Sequence, residues 1–272
     1  MTRDTLLVPV QTVEGVSRKS RNDLLSVEEP LEIRLNGSPI SVTMRTPGDD
    51  LDLAAGFLFT EGVIEEYSQI VSIRQANTVL TSRQATNWVD VRLRPGIEYD
   101  PNRLARNFYA TSSCGICGKA SIDAIEVTPC RRSKTDGPIF QARVVHRLPE
   151  VLRESQKVFE RTGGLHAAAL FSADGTLLAL REDIGRHNAV DKLIGCGIAA
   201  GALPFGDSLI LVSGRAGFEL VQKAAVAGIP ILAAVGAPSS LAVEAALRFR
   251  MTLLGFVRAS RFNSYSEGWR IQ

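Results

Sequence analysis

Apolar residues run without alternation over 208–212, 230–235 and 252–257, and residues 218–227 and 239–250 between them have helical character. Continuous apolar strands separated by helices predict a parallel sheet covered on both faces. Upstream the pattern differs. Residues 31–35 and 39–44 alternate apolar and polar positions around Asn36-Gly37, a strong short-range hairpin signal. A first strand is expected over 6–16, and further strands over 70–74 and 88–93. Residues 49–58 read as a helix with acids in the first turn, where the helix dipole favours them. The spacing predicts a helix over 149–161 with Val151, Leu152, Val158 and Phe159 facing inward. A turn and strand over 163–171 and an antiparallel partner over 176–181 follow, and 182–192 leads into a helix ending near 200. A helix over 121–127 and a polar, basic connector over 128–137 complete the chain, which has no internal repeat. The expected fold class is α/β: a mixed α+β N-terminal lobe over 1–110, a CxxC loop and connector over 111–137, and an α/β core over 138–272. The whole can also count as one continuous domain.

Composition narrows the function classes. The chain has 272 residues, 45% hydrophobic and 22% charged, with a formal net charge of +2. That balance argues against a surface dedicated to nucleic acid, which shows as a strongly basic domain. The apolar run 6–10 is broken by Pro9 and is too short for a signal peptide. Residues 224–237 contain Gly228 and Pro230 and fall short of the roughly 20 residues of a membrane span. A cytoplasmic protein is expected, with no membrane partner. Its four cysteines are then reactive, metal-binding or inert rather than a disulfide framework.

The densest chemistry lies in residues 111–120, where Cys114 and Cys117 stand among small residues ahead of Lys119. A neighbouring cation or a helix N-terminus lowers a thiol's pKa from about 8.5 towards neutrality. Spacing alone leaves three readings open: a zinc site, a thioredoxin-type couple, or a thiol carrying sulfur as a persulfide. Zinc would need four ligands, and Cys130, Cys196, His146, His166 and His187 are scattered. Cys130 and Cys196 are read as ordinary thiols.

In open parallel sheets, ligands bind beyond the carboxyl ends of the strands. Those ends here carry 213–217 (Ser213, Gly214 and Arg215 among them), 236–240 and 258–261. Helix starts attract anions, and arginines offer planar donors to phosphate, so a phosphorylated, nucleotide-like ligand is expected. No Walker or G-x-G-x-x-G pattern is present. His187 reads equally as part of a helix cap or as a ligand or proton-transfer group. His166, in an apolar strand, reads as a core histidine.

Five blocks resemble the formate dehydrogenase accessory sulfurtransferases of the FdhD type: 111–119, 163–168, 183–192, 213–219 and 255–263. Their order and spacing cover nearly the whole chain. The resemblance implies a sulfur carrier that takes sulfur from a cysteine desulfurase and passes it to the molybdenum cofactor, in its bis-guanine-dinucleotide form, of a formate dehydrogenase. It also implies a homodimer, a cytidine-deaminase-like three-layer core and a site that a guanine nucleotide such as GDP would mimic. By motif, Cys114 resembles the persulfide-bearing cysteine and Cys117 its partner. Phe256, Val257, Arg258, Ala259, Ser260 and Arg261 resemble part of the cofactor site, with Ala259-Ser260 departing from the Gly or acid expected there. Arg215 is expected to hold phosphate with Arg258 and Arg261, and Arg186 and His187 are further candidates. No resident metal site is expected, and the zinc-deaminase signature is missing. The runner-up is a non-catalytic cofactor chaperone with a docking or redox loop, and a dithiol oxidoreductase is a third reading.

Overall fold

The structure, a computed structural model, describes residues 4–76, 87–97, 99, 137–202 and 205–272. Cys114, Cys117, Cys130 and the helix and connector expected over 121–137 lie outside these residues, apart from Gly137.

The chain opens with a two-stranded ribbon, β1 (Thr5–Glu14) and β2 (Ser17–Ser26). A four-stranded sheet follows, made of β3 (Glu29–Leu35), β4 (Ser38–Arg45), β5 (Ile70–Ala76) and β6 (Trp88–Leu93) in the order β4-β3-β6-β5. The β3–β4 hairpin turns at Asn36 and Gly37 with φ of 52° and 85°, the left-handed pair a tight hairpin requires. Helix α1 (Asp50–Thr60) lies between β4 and β5 in sequence. After the undescribed stretch come α2 (Ala142–Ser155), α3 (Lys157–Thr162), β7 (His166–Phe171), β8 (Leu177–Asp183) and α4 (Arg186–Ala199). The chain then alternates β9 (Leu209–Val212), α5 (Phe218–Val226), β10 (Ile231–Ala234), α6 (Ser240–Arg248) and β11 (Thr252–Arg258), and returns along β12 (Arg261–Ser266).

These later strands form a six-stranded sheet ordered β12-β11-β10-β9-β7-β8. β9, β10 and β11 are parallel, as the apolar runs imply, while β12, β7 and β8 add antiparallel neighbours. Alternation along β9 explains its unbroken apolar sequence. Leu209 and Leu211 join a core with Val145, Leu148 and Leu152 of α2, whereas Ile210 and Val212 face α1, α4, α5 and α6. The same helical layer packs on Leu31, Ile33, Val89 and Val91 of the four-stranded sheet. Each fully buried aliphatic side chain contributes about 1.5–3 kcal/mol, so the helical layer, apolar towards both sheets, ties them together.

Two expectations are corrected. The helix expected over 149–161 is two helices. α2 begins at Ala142 and carries Pro149 in its interior, and the break falls at Gln156. Its buried face is Val145, Leu148 and Leu152, while Val151, Val158 and Phe159 are only partly buried. Proline reads as a start because it is welcome in the first helical turn, but this helix accepts it mid-length. The polar strand β2 and the edge strand β12 were not expected from the pattern at all.

Candidate functional site

β8, β9, β10 and β11 end at one edge of the six-stranded sheet, where β7 and β12 begin. The loops there are joined backbone to backbone. Val235 N–H donates to Val212 O at 3.0 Å, Gly236 N–H to Gly214 O at 2.9 Å and Phe256 N–H to Gly236 O at 3.0 Å. Ala216 N–H donates to Ala237 O, and Ser239 N–H returns to Ala216 O. The approach is close enough that a Cβ on Gly236 would stand 2.9 Å from Gly214 O and 3.0 Å from Arg215 Cα. Parallel pairing thus continues past the strands and makes the loops a rigid platform, from which α5 and α6 start.

On this platform Arg215, Arg258 and Arg261 are exposed, and none meets a carboxylate among the described residues. Arg258 and Arg261 are cross-strand partners flanking the Ala259-Ser260 turn. Like charges directly opposite one another are unfavourable, so the pair is set up for an anion. The Arg258 guanidinium is steadied by Val235 O at 2.6 Å and Val257 O at 2.8 Å. His146 of α2 holds the same turn from the other side, its Nδ1 donating to Arg258 O at 3.1 Å with its ring against Phe262. The sequence offered no signal for His146, because its partner is a main-chain oxygen more than a hundred residues away.

The other site candidates are placed unequally. Val257 is fully buried in the α2 core, so only its backbone is available to a ligand. The Ser213 hydroxyl accepts the Ala167 N–H at 2.9 Å and ties β9 to β7. Gly214 has no side chain because the His166 ring occupies the space: a Cβ there would lie 3.2 Å from His166 Nδ1. His166 is therefore not a core histidine. It opens β7 at the platform edge, half-buried, and burial and then Arg186 push its pKa down.

His187 sits in the first turn of α4, with Nε2 3.2 Å from Glu219 Oε2 on α5. Burial, then Arg186, Lys223 and His166, lower its pKa to about 3. The Glu219 carboxylate pulls the other way, but it is one partly exposed anion against burial and two cations. The ring is neutral at pH 7 and faces the Glu219 carboxylate through Nε2. Glu219 was missed in the sequence, although an acid in the first turn of a helix opening at a strand end was its signal.

The rest of the 183–192 block is a clamp. Asp183 accepts the Thr46 N–H at 3.2 Å and the Gly185 N–H at 2.8 Å and pairs with Lys192 at 2.7 Å. Asn188 donates to Met44 O, and Lys192 to Thr46 O. Behind them Lys223 reaches Asp191 and Thr60. These residues lock α4 to the end of β4 and to α1, and leave Arg186 and His187 at the platform. Among the described residues no group of three His, Cys, Asp or Glu could hold a metal ion, and no helix is long and apolar enough to cross a membrane.

The FdhD/NarQ family model matches residues 26–272. The sulfur carrier protein FdhD of Streptomyces avermitilis is 52% identical over 254 residues, covering 93% of this chain and 90% of that protein. The sulfur carrier protein FdhD of Mycobacterium tuberculosis is 50% identical over 256 residues, covering 93% of each. Among solved structures, a protein of Desulfotalea psychrophila described as a formate dehydrogenase accessory protein superposes with a TM-score of 0.75 at 24% identity. The match covers 98% of this chain and 99% of that one, and shows a shared mixed α/β fold.

Proposed function

The chain belongs to the FdhD/NarQ family, and from that premise we propose that it is a sulfur carrier for formate dehydrogenase maturation. It takes persulfide sulfur from a cysteine desulfurase and passes it to the molybdenum cofactor in its bis-guanine-dinucleotide form. The observation that carries the reading is the platform: backbone-locked loops at two helix starts and the β11–β12 turn, bearing Arg215, Arg258 and Arg261 without carboxylate partners among the described residues. A guanine dinucleotide is rich in phosphate, and guanidinium forks match phosphate oxygens in pairs. Main-chain groups of 256–261 and 213–214 would line the ligand, with Arg186 and His187 at its margin.

Cys114 is the sulfur-bearing thiol. As a thiolate it attacks the outer sulfur of the desulfurase persulfide. The new bond joins Cys114 to that sulfur, the old sulfur–sulfur bond breaks, and the desulfurase cysteine leaves with the electron pair. On delivery Cys117 attacks Cys114, so that the outer sulfur leaves as hydrosulfide and a disulfide remains. The protein works in the cytoplasm as a homodimer, and its core is of the cytidine-deaminase-like type without that family's zinc chemistry.

The Cys114→Ala protein tests this assignment. It should take up no sulfur from an active desulfurase and should still bind GDP. Full formate dehydrogenase activity supported by that variant would sink the carrier and leave a cofactor chaperone.

A further inference from the structure

The β11–β12 hairpin leaves its regular ladder just before the turn that carries the arginine pair. Its register runs from Gly255↔Asn263 to Arg258↔Arg261, so β11 advances three residues while β12 advances two, which is a β-bulge. Phe256, inside the bulge, takes a left-handed φ of 53°. Bulges interrupt cross-strand bonding and re-aim the residues beyond them, so the placement of Arg258 and Arg261 depends on bonds from other elements. The Phe256 N–H supplies one, to Gly236 O at 3.0 Å. Another comes from α2, between His146 Nδ1 and Arg258 O at 3.1 Å. A carbonyl oxygen only accepts, so this ring nitrogen carries the hydrogen.

His146 belongs to that turn rather than to the core. Val145 and Leu148 are buried with Leu254 and Val257 and seat α2 on β11. The His146 ring stays half-buried, with its centroid 5.1 Å from that of Phe262. One imidazole thus meets both strands, at Arg258 itself and at the residue after Arg261. The approach to α2 is fixed in turn, by Phe140 N–H to Arg270 O at 2.8 Å and Gln272 N–H to Phe140 O at 3.0 Å. A side chain on a rigid element that holds the main chain beneath binding groups sets their geometry without touching the ligand. Resting on the cofactor reading above, we propose that His146 is a positioning residue of the phosphate site, aiming Arg258 and Arg261 at the anion from the opposite side of the hairpin.

The test separates the bond from the ring's bulk. Wild type, His146→Leu and His146→Asn are titrated by calorimetry with GDP and with inorganic pyrophosphate, melted, and compared by hydrogen exchange. His146→Leu keeps an apolar side chain but no donor, and should lose about three- to tenfold in affinity for both ligands, the worth of one hydrogen bond. Its amides over 256–263 should exchange faster while those of α2 stay protected. His146→Asn places an amide nitrogen near the Nδ1 position and should restore both affinity and protection. Wild-type affinity or unchanged protection over 256–263 in His146→Leu would overturn the assignment. So would a marked fall in the melting temperature of His146→Leu, which would make the ring a packing element, and so would a His146→Asn protein as impaired as His146→Leu. A wild-type protein that binds neither GDP nor pyrophosphate would remove the cofactor reading itself, and this role with it.

Discussion

Gly56 of α1 and Gly195 of α4 face each other where the two helices cross. A Cβ on Gly56 would meet the Asp191 carbonyl oxygen at 1.9 Å, and one on Gly195 would meet the Asp52 carbonyl oxygen at the same distance. Both obstacles are backbone, so no rotamer change relieves them. Since α4 also carries Arg186 and His187, this crossing sets where those side chains reach the platform. Gly195→Ala should destabilise the protein by about 1–3 kcal/mol through overpacking, read as a lower urea midpoint. An unchanged midpoint would mean the helices slide apart at little cost.

The Asp183–Lys192 pair makes a second prediction. Both side chains are buried, and Asp183 additionally accepts three N–H groups. Lys192→Met removes one partner and strands a buried carboxylate, a change that costs about 3–5 kcal/mol. Denaturant titration at pH 7 measures it, and a loss below about 1 kcal/mol would show that water reaches Asp183.

Acid should weaken the fold through His187. Its pKa is near 3 when folded and about 6.5 when unfolded. Between those values the unfolded chain binds the extra proton, so stability falls as pH drops below about 6.5 and is unaffected above it. His166 shifts in the same direction. His187→Gln should have the smaller loss between pH 7 and pH 5, by about 1–2 kcal/mol after discounting for the ring's partial exposure. Parallel stability curves for the two proteins across that interval would contradict the assignment.

The arginine pair is tested by ligand. Arg258→Ala and Arg261→Ala should each weaken GDP binding about tenfold or more, the worth of a hydrogen bond to a charged group. The fold should persist, since the head groups are exposed. Calorimetry at low salt reads the binding, and wild-type affinity in both variants would move the phosphate site elsewhere.

Much of this fold is legible in the sequence because the signals are local. Asn36-Gly37 encodes its own turn, and the apolar runs of β9, β10 and β11 encode burial on two faces. What was not legible depends on distant partners. β2 is a polar decamer, exposed over most of its length, and only pairing with β1 makes it a strand. α2 absorbs Pro149 because tertiary packing of Val145, Leu148 and Leu152 outweighs the missing N–H. His166 looked buried because its neighbours are apolar, yet it is the first residue of β7 and so stands at the platform edge. The strand-end arginines were visible as motif. His146 and the left-handed φ of Phe256 were not, because each is defined by a contact or a torsion rather than by spacing, and Glu219 had only its place in the first turn of α5 as a signal.

The central claim is that Cys114 carries sulfur. Intact mass and peptide mapping after incubation with an active cysteine desulfurase and cysteine test it most directly. The account predicts one added sulfur atom on the Cys114 peptide, removed by reductant. No added sulfur on that peptide, with the desulfurase shown to turn over, would contradict it.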